Sequence, residues 1–134
     1  MLTSKRLCCQ TNWRNVHAVS DAKDRARWDK DVANFDADLK KVEQFFLDVV
    51  GGKLSEEEIQ KIGFSFFGEQ GPWYTVGWKM SVVIEKTFGR DRLIDSFCDP
   101  RKLLARYNEA AAIYNRKTRT PVALWSKSLV DGLH

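Results

Sequence analysis

A regular seam of apolar residues in the first half of the chain constrains the fold more than any other feature. Alternating steps of four and three residues separate its members: Trp28, Val32, Phe35, Leu39, Val42, Phe46 and Val49. This spacing places them all on one face of an α-helix, with charged residues on the other faces. We therefore predict one long helix, which begins at a cap on Asp21 and ends at Gly51-Gly52.

The seam has two interpretations. It can face the core of a bundle formed by this chain alone, or it can pair with a second copy as in a coiled coil. A length of about three heptads favours the monomeric bundle. The alternative is a homodimerisation or protein-interaction module whose interface consists of Trp28, Val32, Phe35, Leu39, Val42 and Phe46.

Capping signals divide the rest of the chain into five shorter helices. Gly63 to Phe67 is the single run that reads as extended, so the predicted fold class is all-α: a compact bundle of about five to six helices with one long N-terminal amphipathic helix. The five helices are Ser55 to about Ile62, Pro72 to Phe88 before Gly89, about Asp91 to Phe97, Asp99-Pro100 to about Asn115, and Thr120-Pro121 to Asp131 before Gly132.

Length and composition favour a single globular domain. The chain has 134 residues, of which 43% are hydrophobic and 30% charged, enough for a real core. We assign residues 21–134 to one helical domain and residues 1–20 to a weakly ordered N-terminal segment. Cys8 and Cys9 are adjacent and Cys98 is alone, so three reduced thiols and a cytoplasmic location are expected.

Charge and hydropathy exclude several classes of partner. The net charge of +4 is not concentrated in a basic stripe, because Asp95, Asp99 and Glu109 interrupt the C-terminal Lys and Arg residues. Nucleic-acid binding is therefore not expected. No apolar run reaches the roughly 20 residues that a membrane-spanning helix needs.

The most distinctive local motif is the segment from Gly68 to Trp78, which contains three glycines, one proline and three large aromatic residues. It predicts a tight turn that leads into a helix, with Pro72 at the first helical position. Trp73 should face the core, whereas Tyr74, Trp78, Ser81 and Glu85 form a second face. Gly77 inside the helix predicts a close approach by another group.

This second face has a functional and a structural interpretation. In the functional one, a small molecule or peptide binds against the turn and the helix, and the candidate ligand-binding residues are Glu69, Trp73, Tyr74, Trp78 and Glu85. In the structural one, both aromatic rings pack against the long helix, and Glu85 points to solvent or pairs with a nearby arginine. Aromatic stripes with helical spacing are more often part of a core.

The same region carries a family resemblance. The residues that carry this resemblance are Gly71-Pro72-Trp73-Tyr74, Gly77-Trp78, Ile84-Glu85, Gly89-Arg90 and Asp99-Pro100-Arg101. In them the chain resembles a family of uncharacterised bacterial proteins described as "putative zinc-dependent peptidases", related to the gluzincins. The likeness spans roughly Trp28 to Ala111 and is to the C-terminal helical part of those proteins. It implies a lobe that lines a substrate cleft, with Tyr74 on the cleft wall.

The family's zinc-binding motif is H-E-x-x-H, in which two histidines lie one helical turn apart beside a glutamate that activates water. This chain has two histidines, His17 and His134, and neither has such neighbours. We therefore expect no metal, no cofactor and no catalytic residues. The expected function is a non-catalytic, peptidase-like helical domain that binds a small molecule or peptide near the Gly-Pro-Trp-Tyr turn.

Overall fold

The computed structural model of the protein describes residues 22–68 and 71–133. These residues form a compact all-α bundle without strands, which confirms the predicted fold class. None of the helices in these ranges is long and apolar enough to cross a membrane. The described helices are α1 (Ala22–Ala33), α2 (Phe35–Val50), α3 (Glu56–Ser65), α4 (Pro72–Phe88), α5 (Arg90–Phe97), α6 (Pro100–Lys117) and α7 (Lys127–Gly132).

The predicted long N-terminal helix is two helices, so this prediction was wrong. α1 ends at Ala33 and α2 begins at Phe35, and Asn34 between them has φ −87° and ψ 10°. Asparagine is a poor residue for a helix interior because its short polar side chain competes with helical hydrogen bonding. The Asn34 N–H still donates to the Lys30 and Asp31 carbonyls, both at 3.2 Å, so the break is local. The proposed cap at Asp21 lies outside the described residues.

The predicted helix ends are mostly confirmed. Ser55 forms a complete capping box with Glu58, whose pKa is lowered because its carboxylate accepts the Ser55 N–H. Pro72 occupies the first turn of α4, and Gly89 ends that helix. Asp99 caps α6 by accepting the Arg101 N–H. These local rules worked because they depend on residues within one turn of each other.

Two predicted segments differ from the structure. The run from residue 63 to residue 67 is not extended, since α3 continues to Ser65 and a turn follows. The last helix does not begin at Thr120-Pro121. Residues 118–126, here called the strap, are non-helical, and α7 begins only after a cap on Ser126. The strap's main-chain groups bond to side chains of α2 and α6, so it has no need of helical hydrogen bonds.

The core of the bundle surrounds α4. This helix packs against α1, α2, α5 and α6, and it carries buried residues on several faces, as a central helix should. Val83 and Ile84 of α4 are fully buried, as are Leu39 of α2, Tyr107 of α6 and Leu129 of α7. The strap adds Val122 and Trp125 to the same core.

Candidate functional site

The Gly-Pro-Trp-Tyr turn folds back onto the end of α3. Gly71 precedes α4 in an extended conformation, and a Cβ atom there would lie 2.1 Å from the Phe66 carbonyl oxygen. Only glycine permits this approach. The Trp73 indole Nε1–H donates to the Gly63 carbonyl at 2.8 Å. The turn is therefore held by a glycine that admits the α3 backbone and by an indole that bonds to it.

Trp73 lies at the centre of an aromatic cluster. Its ring centroid lies 5.3 Å from that of Phe66, 5.6 Å from Phe46, 6.0 Å from Phe45 and 6.2 Å from Phe67. The angles between the ring planes range from tilted to edge-on, as aromatic pairs prefer. Trp73 thus joins α2, the end of α3 and α4, and its position depends on rings from all of them.

One side of this cluster is open to solvent. Phe64, Phe67 and Tyr74 are 72%, 54% and 53% exposed, and the Tyr74 ring lies edge-on to Phe67 at 6.1 Å. A groove of about 250 Å³ lies beside them, here called the α3–α4 groove. It is lined by Ile59, Gln60, Gly63, Phe64, Phe67 and Trp73. Large aromatic rings exposed together are unusual on a monomer surface and mark candidate binding sites.

The other ligand-binding candidates do not join this groove. Trp78 packs edge-on against Trp28 of α1, with centroids 5.1 Å apart. Glu85 lies within 3.8 Å of Arg90 and about 16 Å along the helix axis from Tyr74. Trp78 and Glu85 therefore match the structural interpretation of the second face. Glu69 lies outside the described residues.

Ser81 and Gly77 complete the account of that face. Ser81 is buried and donates its hydroxyl to the Gly77 carbonyl at 2.7 Å. No described atom outside the helix backbone lies within 4 Å of a Cβ built on Gly77. The close approach that Gly77 predicted is therefore made by none of the described residues.

The apolar seam contributes mainly to the core of this chain. Trp28, Phe35, Leu39 and Val42 are buried within the bundle. Val32 is half-buried, and so is Phe46, whose ring centroid lies 6.5 Å from that of Trp125. This arrangement matches the monomeric interpretation of the seam. The homodimer stays a prediction, and of the six proposed interface residues Val32 and Phe46 are the half-buried ones.

A second polar arrangement, which the sequence reasoning missed, holds the strap. The Asn115 amide donates to the Val122 carbonyl at 2.9 Å and accepts the Val122 N–H at 2.8 Å. Asn108 makes the same pair of bonds with the main chain of Trp125, both at 2.9 Å. Each side-chain amide therefore satisfies both main-chain groups of one residue, as a neighbouring strand would.

The opposite side of the strap bonds to α2. Asp36 accepts the Ala123 N–H at 2.7 Å, and Glu43 accepts the Ser126 N–H at 2.5 Å. Tyr107 of α6 donates its hydroxyl to the Ala123 carbonyl at 2.5 Å. The pKa of Tyr107 is raised, chiefly by burial and further by the nearby Asp36 charge, so the hydroxyl remains a donor. The sequence offers a faint signal for this arrangement, namely two polar residues seven positions apart on each of two helices: Asp36 and Glu43 on α2, and Asn108 and Asn115 on α6.

The described residues do not fit a zinc site. Within 22–68 and 71–133, no three His, Cys, Asp or Glu side chains lie together as a metal would require. His17, His134, Cys8 and Cys9 fall outside these ranges, and Cys98 is half-buried. The features of this part of the chain are the exposed aromatic rings at the α3–α4 groove and the hydrogen bonds along the strap.

Comparison with known proteins adds a family. A profile of the family described as "Putative zinc dependent peptidase (DUF5700)" matches residues 8–115. This match spans α1 to α5 and nearly all of α6, and it leaves out the whole strap and α7. Searches of the curated proteins and of the solved structures found no match.

Proposed function

Because the chain belongs to this family of peptidase-like proteins, we propose that it is a non-catalytic helical domain of the family that binds peptides at the α3–α4 groove. The observation that carries this proposal is the exposure of Phe64 and Phe67, which line the groove, and of Tyr74, whose ring contacts Phe67. Burial of such rings by a ligand removes apolar surface from water, which is favourable at roughly 25 cal/mol per Å².

The size of the groove favours a peptide over a free small molecule. Its volume of about 250 Å³ is below the roughly 300–1,000 Å³ of typical small-molecule pockets. It fits one large apolar side chain, with the rest of a peptide lying across Phe67 and Tyr74. The ligand class is therefore a peptide with an aromatic or long aliphatic anchor.

The non-catalytic part of the proposal rests on the sequence. Zinc peptidases of the H-E-x-x-H type need two histidines one turn apart, and here the two histidines are His17 and His134. Incubation of the purified protein with zinc, followed by native mass spectrometry, tests this point. Mass corresponding only to the polypeptide is expected, and one tightly bound zinc ion per chain would contradict it.

A bacterial source and a cytoplasmic location stay predictions from the sequence.

Peptide binding can be measured by NMR from the indole N–H signals of individual tryptophans. The probe is a blocked hexapeptide of alanines with one central phenylalanine and a C-terminal lysine, and its control has aspartate at the central position. Because the Trp73 indole N–H bonds to Gly63 at the groove, its NMR signal should shift with the first peptide. The indole signals of Trp28 and Trp78, which pack against each other elsewhere, should not.

Two exposed positions provide a matched pair of variants. Phe64→Ser removes a ring of the groove, whereas Val50→Ser changes a residue that is also exposed, at 51%, but lies elsewhere. We expect Phe64→Ser to weaken binding at least tenfold and Val50→Ser to leave it unchanged. A Trp73 signal that does not move at millimolar peptide, or that moves equally with the aspartate peptide, would refute the proposal.

A further inference from the structure

The strap lies between α2 and α6 in a geometry that fits any extended polypeptide. Asp36 and Glu43 are seven residues apart on α2, and Asn108 and Asn115 are seven apart on α6. Seven helical residues rise about 10.5 Å. The bonded strap residues are three apart, Val122 with Trp125 and Ala123 with Ser126, and three extended residues span about 10 Å. The two periods match, so both helices present hydrogen-bonding groups in register with an extended main chain.

The recognition is directed at the main chain. Along the strap, the N–H and carbonyl of Val122, Ala123 and Trp125 all bond to side chains of the two helices, and so does the Ser126 N–H. Bonds to main-chain groups do not depend on the identity of the bound residues. The fully packed side chains of Val122 and Trp125 would impose the main preference, for two apolar residues three positions apart, and Ala123 and Leu124 also contact the core.

The fit of the strap is incomplete at two points. The Trp125 indole N–H is buried and has no hydrogen-bond partner among residues 22–68 and 71–133, and such an orphaned donor costs free energy. Beside the first part of the strap, a cleft of about 410 Å³ is lined by Thr120, Pro121 and Val122 together with Val32 and Ala33. The strap therefore leaves open space next to α1.

We propose that the cleft between α2 and α6, here called the α2–α6 cleft, is a binding site for extended polypeptides that the chain's own strap occupies. The family match includes all the helix residues that bond to the strap but ends at Asn115, so the cleft belongs to the family region and its occupant does not. A polypeptide of matching pattern displaces the strap and takes over its main-chain hydrogen bonds. This site is separate from the α3–α4 groove and does not depend on the function proposed there.

The test weakens the occupant and leaves the cleft intact. Val122→Ser in the full chain removes an apolar anchor of the strap without changing α2 or α6. The probe is a fluorescein-labelled synthetic peptide with the sequence of residues 119–133. The strap of the variant competes less well for the cleft than the wild-type strap does. The apparent Kd of the variant for this peptide should therefore be at least tenfold lower than that of the wild type. Adding Asn115→Ala, which alters the cleft, should reverse that gain.

A second peptide tests whether binding depends on hydrogen bonds to the main chain or only on contacts of apolar side chains. It has the same sequence, with N-methyl groups at the positions of Val122 and Trp125, so it cannot donate to Asn115 and Asn108. It should bind at least tenfold more weakly than the unmodified peptide. Equal binding of the two peptides, or no binding of either to a folded Val122→Ser chain, would overturn the proposal.

Hydrogen exchange on the wild-type chain tests whether the strap can leave the cleft, even if Val122→Ser fails to fold. A replaceable strap opens by itself, so the amides of Val122, Ala123, Trp125 and Ser126 should exchange at least tenfold faster than buried amides of α4. Exchange of both sets at one common rate, through global unfolding alone, would show that the strap is a permanent part of the core.

Discussion

The contribution of the strap to stability can be tested at Asn115. Asn115→Ala removes a donor and an acceptor that bond to Val122 at 2.9 and 2.8 Å. Val122 is 8% exposed, so its main-chain groups lose partners in a place that water reaches poorly. An unsatisfied buried group costs about 1–3 kcal/mol. Because Asn115 itself is half-buried, water can enter the space it leaves, and we expect the low end of the range for both groups, a total of about 2 kcal/mol.

For a domain of this size, a loss of 2 kcal/mol lowers the Tm by about 6–8 °C. Thermal unfolding followed by circular dichroism would measure the shift, and urea unfolding would give the free energy directly. The matched control is Asn34→Ala. Asn34 is exposed and its side chain makes no capping hydrogen bond, so its loss should change stability by no more than about 0.5 kcal/mol.

The double variant tests whether the strap is held as one unit. Asn108 makes the equivalent pair of bonds to Trp125, and Asn108→Ala alone should cost about as much as Asn115→Ala. If the first substitution already frees the strap, the second removes less, so the double variant should lose less than the sum. A loss at Asn115 that equals the loss at Asn34 would refute the assignment of these amides to the strap.

Three further substitutions have expected outcomes. Gly77→Ala should stabilise the protein by about 0.5–1 kcal/mol, since a Cβ there meets no described atom; a lower Tm would reveal a close neighbour outside the described residues. Ser55→Ala should cost about 1 kcal/mol in urea unfolding, because it breaks a complete capping box, whereas exposed Ser128→Ala should not. Burial raises the pKa of Asp38, so its contribution to stability is present below the unfolded pKa and is lost as the pH rises through the folded one. The Tm of Asp38→Asn relative to wild type should therefore be higher at about pH 6 than at about pH 3, and a constant difference would contradict this.

The sequence was informative where the deciding interactions are local. The capping box at Ser55, the proline at the start of α4 and the cap on Asp99 each depend on residues within one turn, and all were predicted. The break at Asn34 was missed because the apolar seam continues through it in phase. A pattern of apolar positions records which face is buried, but it does not record a change in ψ at one exposed residue.

The candidate site was predicted only in part. Trp73 lines the exposed aromatic groove and Tyr74 contacts Phe67 at its edge, while Trp78 and Glu85 have partners in α1 and at Arg90. The groove itself arises from Phe64 and Phe67, which the sequence presented as part of an extended run. Its shape depends on the way the turn places Trp73 against Gly63, and this contact between residues ten apart follows no periodic rule.

The strap shows why a capping signal can be overridden. Thr120-Pro121 is a good start for a helix, yet the residues that follow stay non-helical up to Ser126. A helix there would satisfy its main chain internally and would leave Asp36, Asn108 and Asn115 without their present partners. The extended form satisfies both the strap and these side chains, and it also buries Val122 and Trp125. The conformation of this segment is therefore set by side chains up to 87 residues away. By the same reasoning, a segment whose shape is imposed by its cleft can be replaced by another that donates and accepts the same hydrogen bonds.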